Sequence, residues 1–340
     1  MRKYTAAIVG TGRIGYSLQK DKKREQPASH SSALYTNKNI RIIAGVDADS
    51  EKLKLWQAEY YNAKTYNSID EMLAECTPDI ITVAVNESSH HEIALKAIKA
   101  QPKLVVLEKP VALTVEQANQ IKEFSLFHKV PVMINHERRF SIDYQKVKKL
   151  IQSDGIGTVE SIYASLSSSM RIFNKNDVET GNYSLIHDGT HLVDIVHFLT
   201  NTKLKNPLIN RIGIDNDKTV RYLSLSYDIA SLMIHLEISG ARKYFGFDID
   251  IRGTKGRVLI GNGYLQYYTR QQSPFYTNFF SLLRDKSLKR PRKTCYFSNM
   301  IQNAVDFLDG KQILESSLDD GISALLTLKE IESILIERGE

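Results

Sequence analysis

The sequence predicts an α/β chain: an N-terminal doubly wound parallel sheet, followed by an α+β domain with a large, mostly antiparallel open sheet. Three observations carry this. Unbroken apolar runs alternate with helical patterns at the start, a period of two takes over further on, and two long helical stretches close the chain. Strand, helix, strand, helix implies parallel strands with right-handed crossovers.

Taken in order, Thr5–Gly10, Ile40–Asp47, Asp79–Val85, Leu104–Glu108 and Val130–Asn135 are apolar without alternation, as strands covered on both faces are. Between them, Ser50–Asn62 sets Leu53, Trp56 and Tyr60 at helical spacing. Ser68-Ile69-Asp70-Glu71 is a capping box, and Ser89–Ala100 and Thr114–Lys129 follow, the latter opened by Thr114-Val115-Glu116-Gln117. Later, Leu232, Ile234, Leu236 and Ile238 alternate with Met233, His235 and Glu237, and Phe245, Phe247, Ile249 and Ile251 with Gly246, Asp248, Asp250 and Arg252. That period marks an antiparallel sheet with one face packed. Its second face also carries apolar residues, which fits a partner subunit. Ser298–Asp309 and Leu318–Arg338 are the closing helices, and no internal repeat or low-complexity tract interrupts the plan.

The bulk numbers narrow the class. The chain has 340 residues and a net charge of +6, which suits anionic partners such as nucleotides or phosphorylated sugars. No apolar run approaches the ~18 residues needed to span a bilayer. The start, MRKYTAAIVGTG, reaches its glycines after a few apolar residues, which predicts no signal peptide. Two cysteines, Cys76 and Cys295, without metal spacing predict reduced thiols and a cytoplasmic protein. One basic cluster stands out: six of the ten residues in Arg284–Lys293 are basic and one is acidic. It reads as a solvated loop, with a phosphate-binding patch as the alternative, and its lack of interleaved aromatics weakens a nucleic-acid reading. Neither nucleic acid nor membrane is expected as a partner.

Gly10-Thr11-Gly12-Arg13-Ile14-Gly15 follows the first apolar run. Such a turn lets backbone approach a pyrophosphate, whose charge the next helix's N-terminus stabilises. An acid should lie about 20 residues on to bind the ribose hydroxyls. Asp47, ending IRIIAGVD, is that candidate, but it lies 32 residues after Gly15. Removing Tyr16–Ala28, thirteen residues, joins Gly15 to SHSSALYTN and restores the spacing, so YSLQKDKKREQPA is read as an inserted loop. It is placed either to reach nicotinamide or substrate, or as an idle surface loop. A carboxylate at Asp47 attracts the 2′-hydroxyl of NAD and repels the 2′-phosphate of NADP, and VDADS offers no adjacent arginine, so NAD is favoured over NADP. Residues 1–135 are therefore the dinucleotide-binding Rossmann domain. Residues 136–340 are the α+β substrate-binding and oligomerisation domain, with the final helices free to pack back on the first.

Glu108-Lys109-Pro110 ends a strand at the sheet edge where ligands bind in open α/β folds. A partly desolvated lysine there can share in proton transfer. With GTGRIG, GVDAD, NESSHHEIALKAI, EKP, NHERRF, DIRGTKGRVLIGNG and SLDDGISALLTLKEI in view, the chain resembles the glucose–fructose oxidoreductase / inositol dehydrogenase (Gfo/Idh/MocA) family over nearly its whole length. The resemblance implies NAD(P)-dependent oxidation or reduction of sugars, cyclitols or nucleotide-linked sugars. By position it implies Lys109 beside nicotinamide and substrate, His191 as the group exchanging a proton with the reacting hydroxyl, and Asp194 as a substrate contact. The family commonly reads D-x-G-x-H. Here His187-Asp188-Gly189-Thr190-His191 puts His187 in the aspartate's place and Asp188 one residue on, so either is a candidate for that acid's catalytic role.

The expected cofactor-binding set is Gly10, Gly12, Arg13, Ile14, Gly15, Asp47, Val85, Asn86, Glu87, His90, Glu108 and Lys109. His90 is included because it matches a family position near the cofactor. The substrate-binding set is Lys109, His191, Asp194 and Arg139, the last with pairing to a carboxylate as its alternative. Alcohol oxidation needs a base titrating near neutral pH, for which His191 is suited, and a positive charge such as Lys109 beside the developing alkoxide. A homodimer or homotetramer is expected through the second-domain sheet. Two other readings are a non-catalytic NAD(H)-binding or regulatory protein of the same fold and, more remotely, a metal-dependent hydrolase using His187 and His191 in the manner of H-E-x-x-H. No third ligand is evident, and no metal is expected.

Overall fold

The computed structural model describes residues 3–338. They form two compact units, residues 3–141 with Cys295–Leu325, and Ile142–Thr294 with residues 326–338.

The first unit begins β1 (Tyr4–Val9), α1 (His30–Thr36), β2 (Ile40–Val46), α2 (Ser50–Gln57), β3 (Lys64–Tyr66), α3 (Ile69–Glu75), β4 (Ile80–Val83), α4 (His90–Lys99), β5 (Leu104–Leu107), α5 (Val115–His128) and β6 (Val132–Ile134). Its sheet runs β3-β2-β1-β4-β5-β6, every pair parallel. This is the Rossmann arrangement, and strand order reverses between β1 and β4, where such sheets bind ligands. The strand β3 lies outside the sequence reading, because a three-residue edge strand KTY is too short to show a period. The helix starts follow their sequence signals. Ser68 and Thr114 accept from the amides of Glu71 and Gln117, and Asp49 accepts from Glu51 and Lys52.

The second unit contains α6 (Ile142–Gln152), β7 (Val159–Ser167), α7 (Ser184–His187), α8 (Gly189–Thr200), β8 (Leu208–Ile214), β9 (Val220–Ile229), β10 (Leu232–Ser239), β11 (Gly246–Gly253), β12 (Gly256–Gly261), β13 (Tyr264–Gln272) and β14 (Phe280–Asp285). Its sheet runs β14-β13-β12-β11-β7-β10-β9-β8, antiparallel except for β7 against β10. Ile234, Leu236, Ile238, Phe247, Ile249 and Ile251 are buried on one face. Phe245 departs from the expected alternation: β11 starts at Gly246, and the Phe245 ring is exposed in the preceding loop.

Two helices complete the chain, α9 (Tyr296–Leu308) and α10 (Leu318–Glu337). The division expected at 135/136 falls at 141/142, and residues 295–325 return to the first unit. The cause is apolar packing: Phe297, Met300, Ile301 and Ala304 of α9 share one core with Ile8, Leu34, Ile40 and Phe140. The Ile134 amide donates to the Ser316 carbonyl, so the segment before α10 runs along the edge strand β6. No helix among the described residues is long and apolar enough to cross a membrane.

Candidate active site

The glycine turn leaves β1 at Gly10, whose φ is +98°. A Cβ there would strike the Ala84 carbonyl, and one at Gly15 would strike the Gly10 carbonyl, so both positions require glycine. Gly12 differs: no atom lies within 4 Å of where its Cβ would be, so its backbone faces open space. That open approach suits a pyrophosphate. Arg13 is exposed, and Ile14 packs against the core. Asp47 braces the turn. One carboxylate oxygen accepts from the Thr11 amide (2.8 Å) and hydroxyl (3.1 Å), and the other accepts from the Asp49 amide at 3.0 Å.

The inserted segment interrupts the turn and its helix as the spacing predicted. The His30 and Ser31 amides donate to the carbonyls of Ile14 and Gly15, so α1 resumes on the turn across the insertion. The insertion packs on the first unit. The Tyr16 ring is buried edge-on against Tyr60, and its hydroxyl donates to the Leu55 carbonyl. Gln19 accepts from Ser29 and Tyr60, Lys20 pairs with Glu59, and Glu25 accepts from the Cys295 amide ahead of α9.

Beyond the ends of β4 and β5, Val85 and Glu87 are partly exposed and Asn86 is exposed. His90 and Glu108, expected at the cofactor, are buried, and their side chains bond within the protein. Burial holds the His90 imidazole below its ordinary pKa. Its Nδ1 lies 2.6 Å from the Pro110 carbonyl and its Nε2 3.2 Å from the Val85 carbonyl. Glu108 Oε1 accepts from His30 Nε2 at 2.6 Å and from Asn135 Nδ2 at 2.5 Å, while Oε2 accepts from the Lys109 amide at 3.2 Å. Burial pushes the Glu108 carboxyl up, but the hydrogen bond from His30, the Lys109 charge and the Asn135 amide outweigh it and hold the group below the usual range. The partly exposed Lys109 is thus flanked by anchored neighbours. Sequence reasoning missed His30 and Asn135. Asn135 carried a signal, a polar residue closing the apolar run Val130–Ile134, whereas His30 stands among serines and carried none.

Arg139 is also committed: its buried guanidinium donates to the Glu315 carbonyl (3.0 Å) and pairs with Asp320 at 3.1 Å, the carboxylate alternative already considered for it.

The second unit holds the remaining candidates. His187 ends α7, Asp188 breaks the helix, and α8 starts at Gly189. His187 and His191 therefore do not share one continuous helix, which removes the geometry behind the hydrolase reading. Asp188 accepts from the Ser184 hydroxyl at 3.4 Å and lies 4.0 Å from His187. His191 is partly exposed on the first turn of α8, and Asp194 is buried one turn on. Among the described residues, no three His, Cys, Asp or Glu side chains group so as to hold a metal ion.

Residues 4–136 match the family described as "Oxidoreductase family, NAD-binding Rossmann fold". The matched segment is thus similar to the Gfo/Idh/MocA oxidoreductases in their NAD-binding part. It covers the whole glycine turn, Asp47 and Lys109. Escherichia coli D-glucoside 3-dehydrogenase is 24% identical over 201 residues, 57% of this chain and 53% of that protein. Salmonella typhimurium inositol 2-dehydrogenase is 24% identical over 203 residues, 59% of this chain and 55% of that protein. The matches thus span about half the length of these curated relatives. The crystal structure of an Agrobacterium radiobacter oxidoreductase in complex with NAD+, L-tartaric acid and magnesium has the same fold. It superposes with a TM-score of 0.74 at 18% identity, covering 96% of this chain and 94% of that one.

Proposed function

We propose that this protein is an NAD-dependent dehydrogenase or reductase acting on a hydroxyl or keto carbon of a sugar, cyclitol or nucleotide-linked sugar. The observation that carries the reading is the glycine turn, open at Gly12 and braced by Asp47. Two relatives are named for a glucoside and an inositol, and the A. radiobacter neighbour holds NAD+. The nicotinamide, when bound, accepts or delivers the hydride.

The residues of this chain do the rest. Gly10, Gly12, Arg13, Ile14 and Gly15 cradle the pyrophosphate, Asp47 binds the ribose hydroxyls, and the Val85–Glu87 backbone borders the cofactor. Lys109 stabilises the developing alkoxide, and His191 takes up the hydroxyl proton. His187 or Asp188 replaces the family's usual aspartate, and Asp194 contacts substrate. Glu108 and His90 are positioning residues for Lys109 in this reading, and Arg139 has no substrate role. The open face of the second sheet serves as the contact of a homodimer or homotetramer, and the protein works in the cytoplasm.

Fluorescence titration with NADH and NADPH tests the core of the proposal. NADH should bind at least about tenfold tighter, because Asp47 repels a 2′-phosphate. Gly12→Val should abolish NADH binding while thermal stability is retained, since its side chain would fill open space. Preference for NADPH would overturn the Asp47 assignment. Absence of binding to either, in folded ligand-free protein, would overturn the function. Tight NADH binding without turnover across a sugar and nucleotide-sugar panel would favour the non-catalytic reading.

A further inference from the structure

The edge of the second sheet is built unlike the rest of it. Pairing of β12 with β13 ends at Gly256 and Thr269, whereas β13 and β14 continue together to Gln272 and Phe280. A two-stranded arm therefore projects past the sheet. At its tip Phe275, Tyr276 and Phe279 are 73%, 68% and 64% exposed, and Phe280 and Leu282 follow at 50% and 48%. Tyr276 packs edge-on against Phe275 and Phe279, so these rings meet chiefly one another. Clustered apolar exposure of this kind marks an interaction site rather than ordinary surface scatter.

The charge is equally localised. Residues 270–293 contain seven basic residues and one acidic residue, a net +6, which equals the net charge of the whole chain. The other residues balance to zero. Arg284, Lys286, Lys289, Arg290, Arg292 and Lys293 are all exposed. Arg290 lies 3.8 Å from Asp143; among the described residues, Arg284, Lys286, Arg292 and Lys293 pair with no carboxylate. Along β14, Phe280, Leu282 and Arg284 point the same way and are the exposed positions, so apolar and basic groups share one edge.

We propose that the β13–β14 arm and the basic segment after it dock the protein on an anionic lipid bilayer surface. The aromatic tip enters the headgroup region, and the basic residues meet acidic headgroups. Charge complementarity selects this occupant. Two copies meeting symmetrically through this element would bring two +6 segments together. Single-stranded nucleic acid is bound where aromatics are interleaved with basic groups along a groove, whereas here the rings cluster at the tip and most charges follow at the base. Surface docking requires no membrane-spanning helix.

Flotation of the full chain with vesicles tests this. Phosphatidylcholine vesicles with about one-third phosphatidylserine should bind at least about tenfold more protein than phosphatidylcholine alone, and about 0.5 M salt should release it. Two triple variants should each lose about tenfold binding: Phe275→Ser/Tyr276→Ser/Phe279→Ser, and Lys286→Gln/Arg292→Gln/Lys293→Gln. Circular dichroism and thermal melting verify that each is folded, and the second set alters only exposed groups. Equal binding to neutral and anionic vesicles, or no binding to either, overturns the proposal. So does binding of poly-dT without vesicle binding. A fall in oligomer size of the aromatic variant, with no vesicle binding by the parent, likewise overturns it in favour of a contact between copies.

Discussion

In the first unit, every residue of β4 and β5 is buried, and ionisable side chains lie only beyond the strand ends. In the second, β10 and β11 alternate buried Leu236, Ile249 and Ile251 with partly exposed His235, Glu237, Asp248 and Asp250. These open-face residues border a groove of about 450 Å³ with Tyr163, Ser165 and Tyr264. The two sheets teach different rules for an ionisable group. Between covered faces, Glu108 has no water to fall back on, so His30 and Asn135 are obligatory partners. On the open face Asp250 meets Arg252 and Arg257 at 2.8 and 2.7 Å, but the arginines remain substantially solvated, so the network is screened and replaceable.

The strongest test removes one carboxylate from each place. Glu108→Ala should cost about 3–5 kcal/mol in urea unfolding, because two buried polar partners lose their acceptor. Asp250→Ala should cost about 1 kcal/mol or less. Equal losses would break the comparison. An apolar pair of substitutions on one strand sharpens it: Leu236→Ala should cost about 2–5 kcal/mol and the adjacent His235→Ala less than about 1 kcal/mol, since only Leu236 faces the core.

A pH profile gives a third test. Because the folded Glu108 carboxyl titrates below its unfolded value, it contributes stability above the unfolded pKa of about 4.3, and that contribution is lost as pH falls through the folded value. Stability of the parent should therefore decline more steeply below about pH 4.5 than that of Glu108→Gln, measured by chemical unfolding at each pH. A further modest effect is expected at Ser29, which caps α1 by accepting from the Ser32 amide. Ser29→Ala should cost about 1 kcal/mol, checked by thermal unfolding.

Features set within a few residues were legible in advance. The capping boxes at Ser68 and Thr114, the unbroken strands of the parallel sheet, and the excess spacing between Gly15 and Asp47 follow from local backbone geometry. The glycine requirement at Gly10 and Gly15 was legible in the same way, because a turn either admits a Cβ or does not. Other features depend on who meets whom across the chain. His30 and Glu108 pair across 78 residues, and Asn135 reaches the same carboxylate from the end of β6. His90 became a brace between Val85 and Pro110, and Arg139 a partner of Asp320, because burial forces a polar group to find a partner wherever folding brings one. The return of α9 to the first core was decided likewise, by which apolar surface Phe297 and Met300 could cover. Sequence by itself determined the turns, caps and periodicities; only tertiary packing decided which buried polar atoms would satisfy one another.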